Sequence, residues 1–253
     1  MRVKPKKALG QHFLTDVEVV HRTIESLPLA PFETLLEIGP GMGILTGELW
    51  KVHPKLLHVI EIDLESYEYL LNHSEIPGER IHFGDFLEIK LDKMFKGQIA
   101  IIGNFPYNIS TQIIFKAIDH RKLVTSVTGM FQKEVAERFC AEPGSKIYGI
   151  TSVLVQAYYR THYHFTVPPN RFFPPPKVDS GVISMVRYRD EIPRLAHESL
   201  VTVVKVAFQQ RRKTLRNALK VLDFEFPGEV GQRRAESLSV EEFITLAEMY
   251  QNR

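Results

Sequence analysis

From about residue 34 onward, short apolar runs alternate with amphipathic stretches. TLLEI (34–38), LHVIEI (57–62), RIHF (80–83) and QIAIIG (98–103) are brief, rich in branched residues and bounded by turn formers, which predicts strands. Between them, ILTGELWKV, SYEYLLNH and STQIIFKAIDH carry their apolar positions at helical spacing. Strand–helix alternation implies parallel βαβ units. The expected fold class is therefore α/β, a doubly wound, mostly parallel, Rossmann-like sheet. VTSVTGMF and GVISMVRY supply later candidates, while GITSVLVQAYY between them fits strand or helix equally. FFPPPKVD (172–179) is stiffened by proline. Past Tyr188, RDEIP reads as a linker and only helical patterning follows. The expected domains are 1–190 and 191–253, the second small and all-helical.

Composition narrows the function classes. Of 253 residues, 44% are hydrophobic and 25% charged, as in an ordinary globular chain. The formal net charge of +2 excludes a global electrostatic argument for a polyanionic partner, so local clusters must carry one. A single cysteine, Cys140, rules out an intrachain disulfide and any CxxC framework. The ten histidines lack ligand spacing such as HExxH, and no metal is expected. No apolar run reaches bilayer length, and the basic N-terminal stretch lacks the apolar core of a signal peptide. The expected location is cytoplasmic, and a monomer is expected.

EIGPGMGILT (37–46) takes a strand through a glycine loop into a helix. Gly39 and Gly41 there allow a tight turn and a close ligand approach. The spacing GxGxG departs from the GxGxxG of dinucleotide sites, so the loop alone is a weak signal. The second strand ends in Glu61, placed to accept from ribose hydroxyls, with Asp63 a rival for the same task. The third ends in Gly84-Asp85, where Asp85 could accept from an adenine amine or simply cap a helix. Together these strand ends suggest a nucleoside site, for NAD or for S-adenosyl-L-methionine.

GNFPYNIS (103–110) decides between them. An adenine amine is a poor nucleophile because its lone pair is delocalised into the ring. Two acceptors holding both N–H bonds would favour a pyramidal nitrogen. The Asn104 side-chain oxygen and the Phe105 carbonyl suit that role, with Pro106 fixing the loop. Tyr107 offers a face on which a base can stack, worth roughly 1–3 kcal/mol. Displacement at a sulfonium neutralises charge and requires no metal.

With those residues in view, the chain resembles the bacterial KsgA/RsmA family of small-subunit rRNA adenine dimethyltransferases. The resemblance runs through GQHFL (10–14), LEIGPGMGILT (36–46), VIEID (59–63), GDFLEI (84–89), GNFPYNIS, FQKEVAERF (131–139), PGSKIYG (143–149), PPPKVDSGV (174–182) and AFQQRRKTLRN (207–217). It implies a class I methyltransferase fold with S-adenosyl-L-methionine as cofactor. His12, Leu14, Gly39, Glu61, Asp85 and Asn104 would surround that cofactor, and Phe172 would face the target base opposite Tyr107. It also implies 16S rRNA in an immature small subunit as partner, dimethylated on two adjacent adenosines near its 3′ end. Two departures stand out: His12 where many relatives have Asn, and Phe105 for the commoner Leu.

Two basic clusters complete the reading. Arg2, Lys4, Lys6 and Lys7 open the chain, and residues 205–220 carry Arg211, Arg212, Lys213, Arg216 and Lys220 with no acid. On one continuous helix Arg212, Arg216 and Lys220 would form a stripe opposite Val204, Phe208, Leu215, Leu219 and Leu222, suited to phosphate contact. The rivals are an Erm-type large-subunit methyltransferase, an RNA-binding assembly factor with secondary catalysis, and an NAD oxidoreductase. The last would leave residues 104–107 without a task.

Overall fold

The structure is a computed structural model that describes residues 3–193 and 195–253; Arg2 of the first basic cluster lies outside the described residues. In chain order the elements are β1 (Phe13–Leu14), α1 (Val17–Glu25), β2 (Thr34–Ile38), α2 (Ile44–Val52), β3 (Leu57–Glu61), α3 (Leu64–His73) and β4 (Ile81–Phe83). Then come α4 (Leu91–Met94), β5 (Ile99–Asn104), α5 (Ser110–Asp119), β6 (Val124–Gln132), α6 (Lys133–Phe139), α7 (Ile150–Gln156) and β7 (Tyr159–Val167). The rest are β8 (Phe172–Phe173), β9 (Ser180–Arg187), α8 (His197–Gln209), α9 (Leu215–Ala218), α10 (Gly228–Gln232) and α11 (Val240–Gln251). No helix among the described residues is long and apolar enough to cross a membrane.

The first four strand predictions and the helices between them are present. The untyped segment GITSVLVQAYY divides: its first part is α7, and its end enters β7. The sequence pattern missed β7, because it is mostly histidine, tyrosine and threonine rather than an apolar run, and only its two end residues are buried.

Two compact units make up the chain: Met1–Ala136 with Thr161–Arg187, and Glu137–Arg160 with Tyr188–Arg253. This differs from a single cut at 190/191. Residues 137–160 join the helical unit because α7, with Ser152, Val153, Leu154 and Val155 buried in succession, packs on α8 and α11.

In the first unit a seven-stranded sheet runs β4-β3-β2-β5-β6-β9-β7. The pairs β2–β3, β3–β4, β2–β5 and β5–β6 are parallel, and β6–β9 is antiparallel. Every residue of β2 is buried, as are Ile99–Gly103 of β5, which is why these strands read as unbroken apolar runs. From β2 the chain winds outward through β3 to β4, then returns to place β5 on the other side of β2. At such a reversal the loops leaving the two central strands part, and the gap beyond their carboxyl ends accepts a ligand. Beside it β1 and β8 form a small antiparallel ribbon.

In the second unit α8 packs against α7, α9 and α11. Phe208 stacks on Phe243 at 5.6 Å between ring centres. A capping box fixes the start of α11: Ser239 Oγ accepts from Glu242 N, and Glu242 Oε2 accepts from Ser239 N.

Candidate functional site

A pocket opens at the reversal between β2 and β5. Its lining includes Gly39, Gly41, Glu61, Asp85 and residues 104–107, with Leu9 to Phe13 supplying one wall. Gly41 is left-handed at φ 58°, and a Cβ there would come within 2.8 Å of the Phe13 ring. Glycine is thus needed both for the turn and for the wall that closes on it.

Glu61 is 3% exposed, and each of its oxygens is held by backbone. Oε2 accepts from Gly41 N at 3.0 Å and Oε1 from Asp63 N at 2.8 Å. Burial raises its proton affinity, and these N–H groups partly offset that. Asp63, the rival, is engaged elsewhere. It caps α3 and receives Lys6 Nζ, Gln11 Nε2 at 3.3 Å and Ser66 Oγ at 3.0 Å. Burial pushes its carboxyl up, but those donors outweigh the effect and hold it below the usual range. Through Lys6 and Gln11, Asp63 ties down the N-terminal wall.

Asp85 lines the pocket, and its Oδ1 accepts from Leu87 N at 2.8 Å, closing a tight turn. The same loop is pinned from α5. The Lys116 ammonium, 8% exposed with its residue, donates to the carbonyls of Phe86 and Ile89, each at 2.5 Å. Burial lowers its pKa, and Asp85 pulls it back up. Nothing in the sequence alone marked Lys116, since an i, i+27 contact leaves no local signature.

At the end of β5, Asn104 Nδ2 donates to the His12 carbonyl at 2.8 Å. The amide is thereby oriented, with its oxygen as the remaining acceptor. Phe105 is 1% exposed, and its ring packs on Phe131 at 5.0 Å. Room for that ring comes from Gly129, where a Cβ would fall 2.5 Å from it and 2.2 Å from the Gly103 carbonyl. Tyr107 stacks on His12 at 5.6 Å and 29°, and its hydroxyl shares a 2.5 Å hydrogen bond with Ser180 Oγ. Burial raises the phenol's pKa. His12 Nδ1 donates to the Pro174 carbonyl at 2.7 Å, so that side chain is a structural tie.

Leu14 and Phe172 are not part of this lining. They face each other across the β1–β8 ribbon, each 4% exposed in the apolar core. Phe172, buried in that core, does not line the pocket that Tyr107 lines. Leu14 instead borders a second cavity, with Gly39, Met42, Asn104 and Glu37. Glu37 was missed from the sequence, hidden inside the strand TLLEI. It is 1% exposed, and its Oε2 has no hydrogen-bond partner among the described residues. Burial, reinforced by Glu61, lifts its pKa to about 8 against a smaller pull from Thr46.

The expected basic stripe in the helical unit does not form on one helix. α8 stops at Gln209 and α9 begins at Leu215, whose N–H donates to the Arg233 carbonyl at 2.8 Å and so cannot continue the helix. Arg211 turns inward, donating to Glu236 Oε2 at 2.6 Å and to the Lys146 carbonyl at 2.6 Å. Arg212, Lys213, Arg216 and Lys220 are exposed. In the first unit Lys6 is likewise committed, to Asp63 and Glu65. Among the described residues no cluster of three or more His, Cys, Asp or Glu could hold a metal ion.

Fold and pocket define an α/β protein of the doubly wound class with a pocket where its strand order reverses. The family model "Ribosomal RNA adenine dimethylase" matches residues 2–252. "Ribosomal RNA small subunit methyltransferase A" of Flavobacterium johnsoniae is 50% identical over 98% of this chain and 96% of its own length. The protein of the same name from Cytophaga hutchinsonii is 49% identical over 98% of each. The chain belongs to the ribosomal RNA adenine dimethylase family and is a methyltransferase of that kind. Among solved structures, a dimethyladenosine transferase from Plasmodium falciparum superposes with a TM-score of 0.80 at 24% identity, over 93% of this chain and 96% of that one. The 23S rRNA methyltransferase ErmE gives 0.71 at 23% identity, over 94% and 99%. Both share the fold.

Proposed function

We propose that this protein uses S-adenosyl-L-methionine to dimethylate the exocyclic amines of two adjacent adenosines near the 3′ end of 16S rRNA, in an immature small subunit. The observation that carries this reading is the orientation of Asn104 by the His12 carbonyl, which leaves an amide oxygen as acceptor at the mouth of β5. Relatives at about half identity bear the small-subunit name, which favours that substrate over large-subunit RNA.

The residues fit the donor. The pocket offers Glu61 to ribose hydroxyls and the Asp85 turn to an adenine edge, and the neighbouring cavity offers the unpartnered Glu37 oxygen to a cationic group. When bound, the donor supplies an electrophilic methyl on a positively charged sulfur. The chain's own work is to hold the acceptor. Asn104 Oδ1 and the Phe105 carbonyl accept the two amine hydrogens, so the nitrogen lone pair is free to attack. Tyr107 stacks on the flipped base, and burial keeps its phenol neutral. The proton leaves after transfer, and no dedicated base is needed. In the second round one hydrogen has been replaced by methyl, so one of the two acceptors lets go.

In the helical unit Arg212, Lys213, Arg216 and Lys220 serve as phosphate contacts, while Arg211 holds the loop that carries the first two. Incubation with labelled donor and under-methylated small subunits, followed by mapping of the modified bases, tests the reading. Label on two neighbouring adenosines near the 3′ end is expected. Label on large-subunit RNA instead would overturn it.

A further inference from the structure

We propose that Phe173 is a stacking platform for the nucleobase adjacent to the one that enters the pocket, the partner being single-stranded RNA. This rests on the reading of the pocket as a target-adenine site.

The β1–β8 ribbon sorts four side chains onto two sides. Leu14 lies opposite Phe172 and Phe13 opposite Phe173. Cross-strand partners point to the same side of a ribbon, and successive residues to opposite sides. Leu14 and Phe172 take the core side, each 4% exposed. Phe13 takes the pocket side and lies against Gly41. Phe173 therefore shares the pocket side, yet it is 52% exposed where Phe13 is 8%.

A single exposed aromatic is by itself ordinary. Its surroundings set this one apart. The next residue, Pro174, accepts from His12 Nδ1, and the His12 ring stacks on Tyr107. Phe173 is thus one residue from the carbonyl that fastens the ring stacked on the proposed base platform. Arg171 and Lys177 flank it in sequence, both exposed, and Arg171 is braced by Asp16 Oδ2 at 2.6 Å. An exposed ring with cations a few residues away in the chain supplies what a single strand needs: rings take bases, cations take phosphates. A nucleotide flipped into a pocket leaves its neighbour unstacked on one side, and a ring at the rim restores that contact.

The test uses the full chain carrying Phe173→Ala or Phe173→Trp, assayed on under-methylated small subunits. Phe173→Ala should raise KM for the subunit on the order of tenfold, the loss of one base stack. The kcat, the affinity for S-adenosylmethionine and the melting temperature should hold, and Phe173→Trp should keep the wild-type KM. An adenosine dinucleotide should inhibit Phe173→Ala less well than wild type, while a mononucleotide inhibits both equally. An unchanged KM in Phe173→Ala, or a Trp variant as impaired as Ala, overturns the proposal. So does a parallel loss of donor affinity, which would make Phe173 a support for the pocket wall. Failure of the underlying reading looks different: the wild-type protein itself would leave subunit adenosines unmodified.

Discussion

Asn104 donates its side-chain N–H to the His12 carbonyl across 2.8 Å, joining the end of a central strand to a segment ninety-two residues earlier in the chain. One amide thus does two jobs. Its nitrogen fastens the N-terminal wall, and its oxygen is left to accept, the role proposed for it toward the amine. Asn104→Ala should cut single-turnover methylation by roughly 10²-fold, as loss of one positioned polar group does elsewhere. Asn104→Asp keeps an acceptor but sets a carboxylate against the His12 carbonyl. It should therefore lose donor affinity as well, a difference that equilibrium binding reads directly.

Glu37 gives the site a pH signature. Its carboxyl is raised from 4.5 to about 8, so the folded chain keeps a proton that the unfolded chain releases. The group's contribution to stability is whole below the ordinary carboxylate range and fades as pH climbs to about 8. Glu37→Gln should flatten that fall, making the unliganded variant the more stable protein at alkaline pH in thermal melts. A cationic donor favours the ionised carboxylate. Wild-type binding at neutral pH should then expel a proton, seen by calorimetry in buffers of different ionisation enthalpy, and Glu37→Gln should expel none.

Asp63 and Lys6 govern the wall without touching the chemistry. Asp63→Asn weakens the grip on Lys6 and Gln11 while keeping a cap for α3. Donor KM should rise on the order of tenfold, in line with the worth of a charged hydrogen bond, while kcat holds. Lys6→Ala should produce a smaller change of the same kind, since its side chain is half in water. A fall in kcat alone would contradict this division of labour.

Lys116 tests the Asp85 turn. Lys116→Met orphans the carbonyls of Phe86 and Ile89 and should destabilise the fold by roughly 1–3 kcal/mol in denaturant melts. Donor affinity should weaken with it, because Asp85 shares the loop; Lys116→Arg should recover part of both.

The arginines of the helical unit separate into two groups by experiment. Arg212→Glu with Lys213→Glu should weaken subunit binding and flatten its salt dependence, with melting unchanged. Arg211→Ala should act the other way, lowering the melting temperature because it unties Glu236 and the Lys146 carbonyl.

The βα alternation was legible in the sequence because strands buried on both faces must be short and apolar. The glycine loop and residues 104–107 were legible because turns and close approaches restrict residue choice. The rest depended on distant partners. Phe172 and Phe173 are one letter repeated, and only the pairing with Phe13 and Leu14 decides which ring is buried. The stripe through Arg212, Arg216 and Lys220 has perfect helical spacing, yet Arg233 claims the N–H that the helix would need. Glu37 looked like one polar position in a strand, and its meaning came from the cavity beside it.

Gly129 has a wider consequence. By making room for the Phe105 ring deep in the sheet, it roots the carbonyl proposed as an amine acceptor in close-packed surroundings. The acceptor pair is in consequence a fixture that exists before any substrate arrives, and the disorder it gave up was surrendered at folding. An enzyme arranged this way should tolerate great variety at its rim while a single methyl group, added far from solvent, silences it.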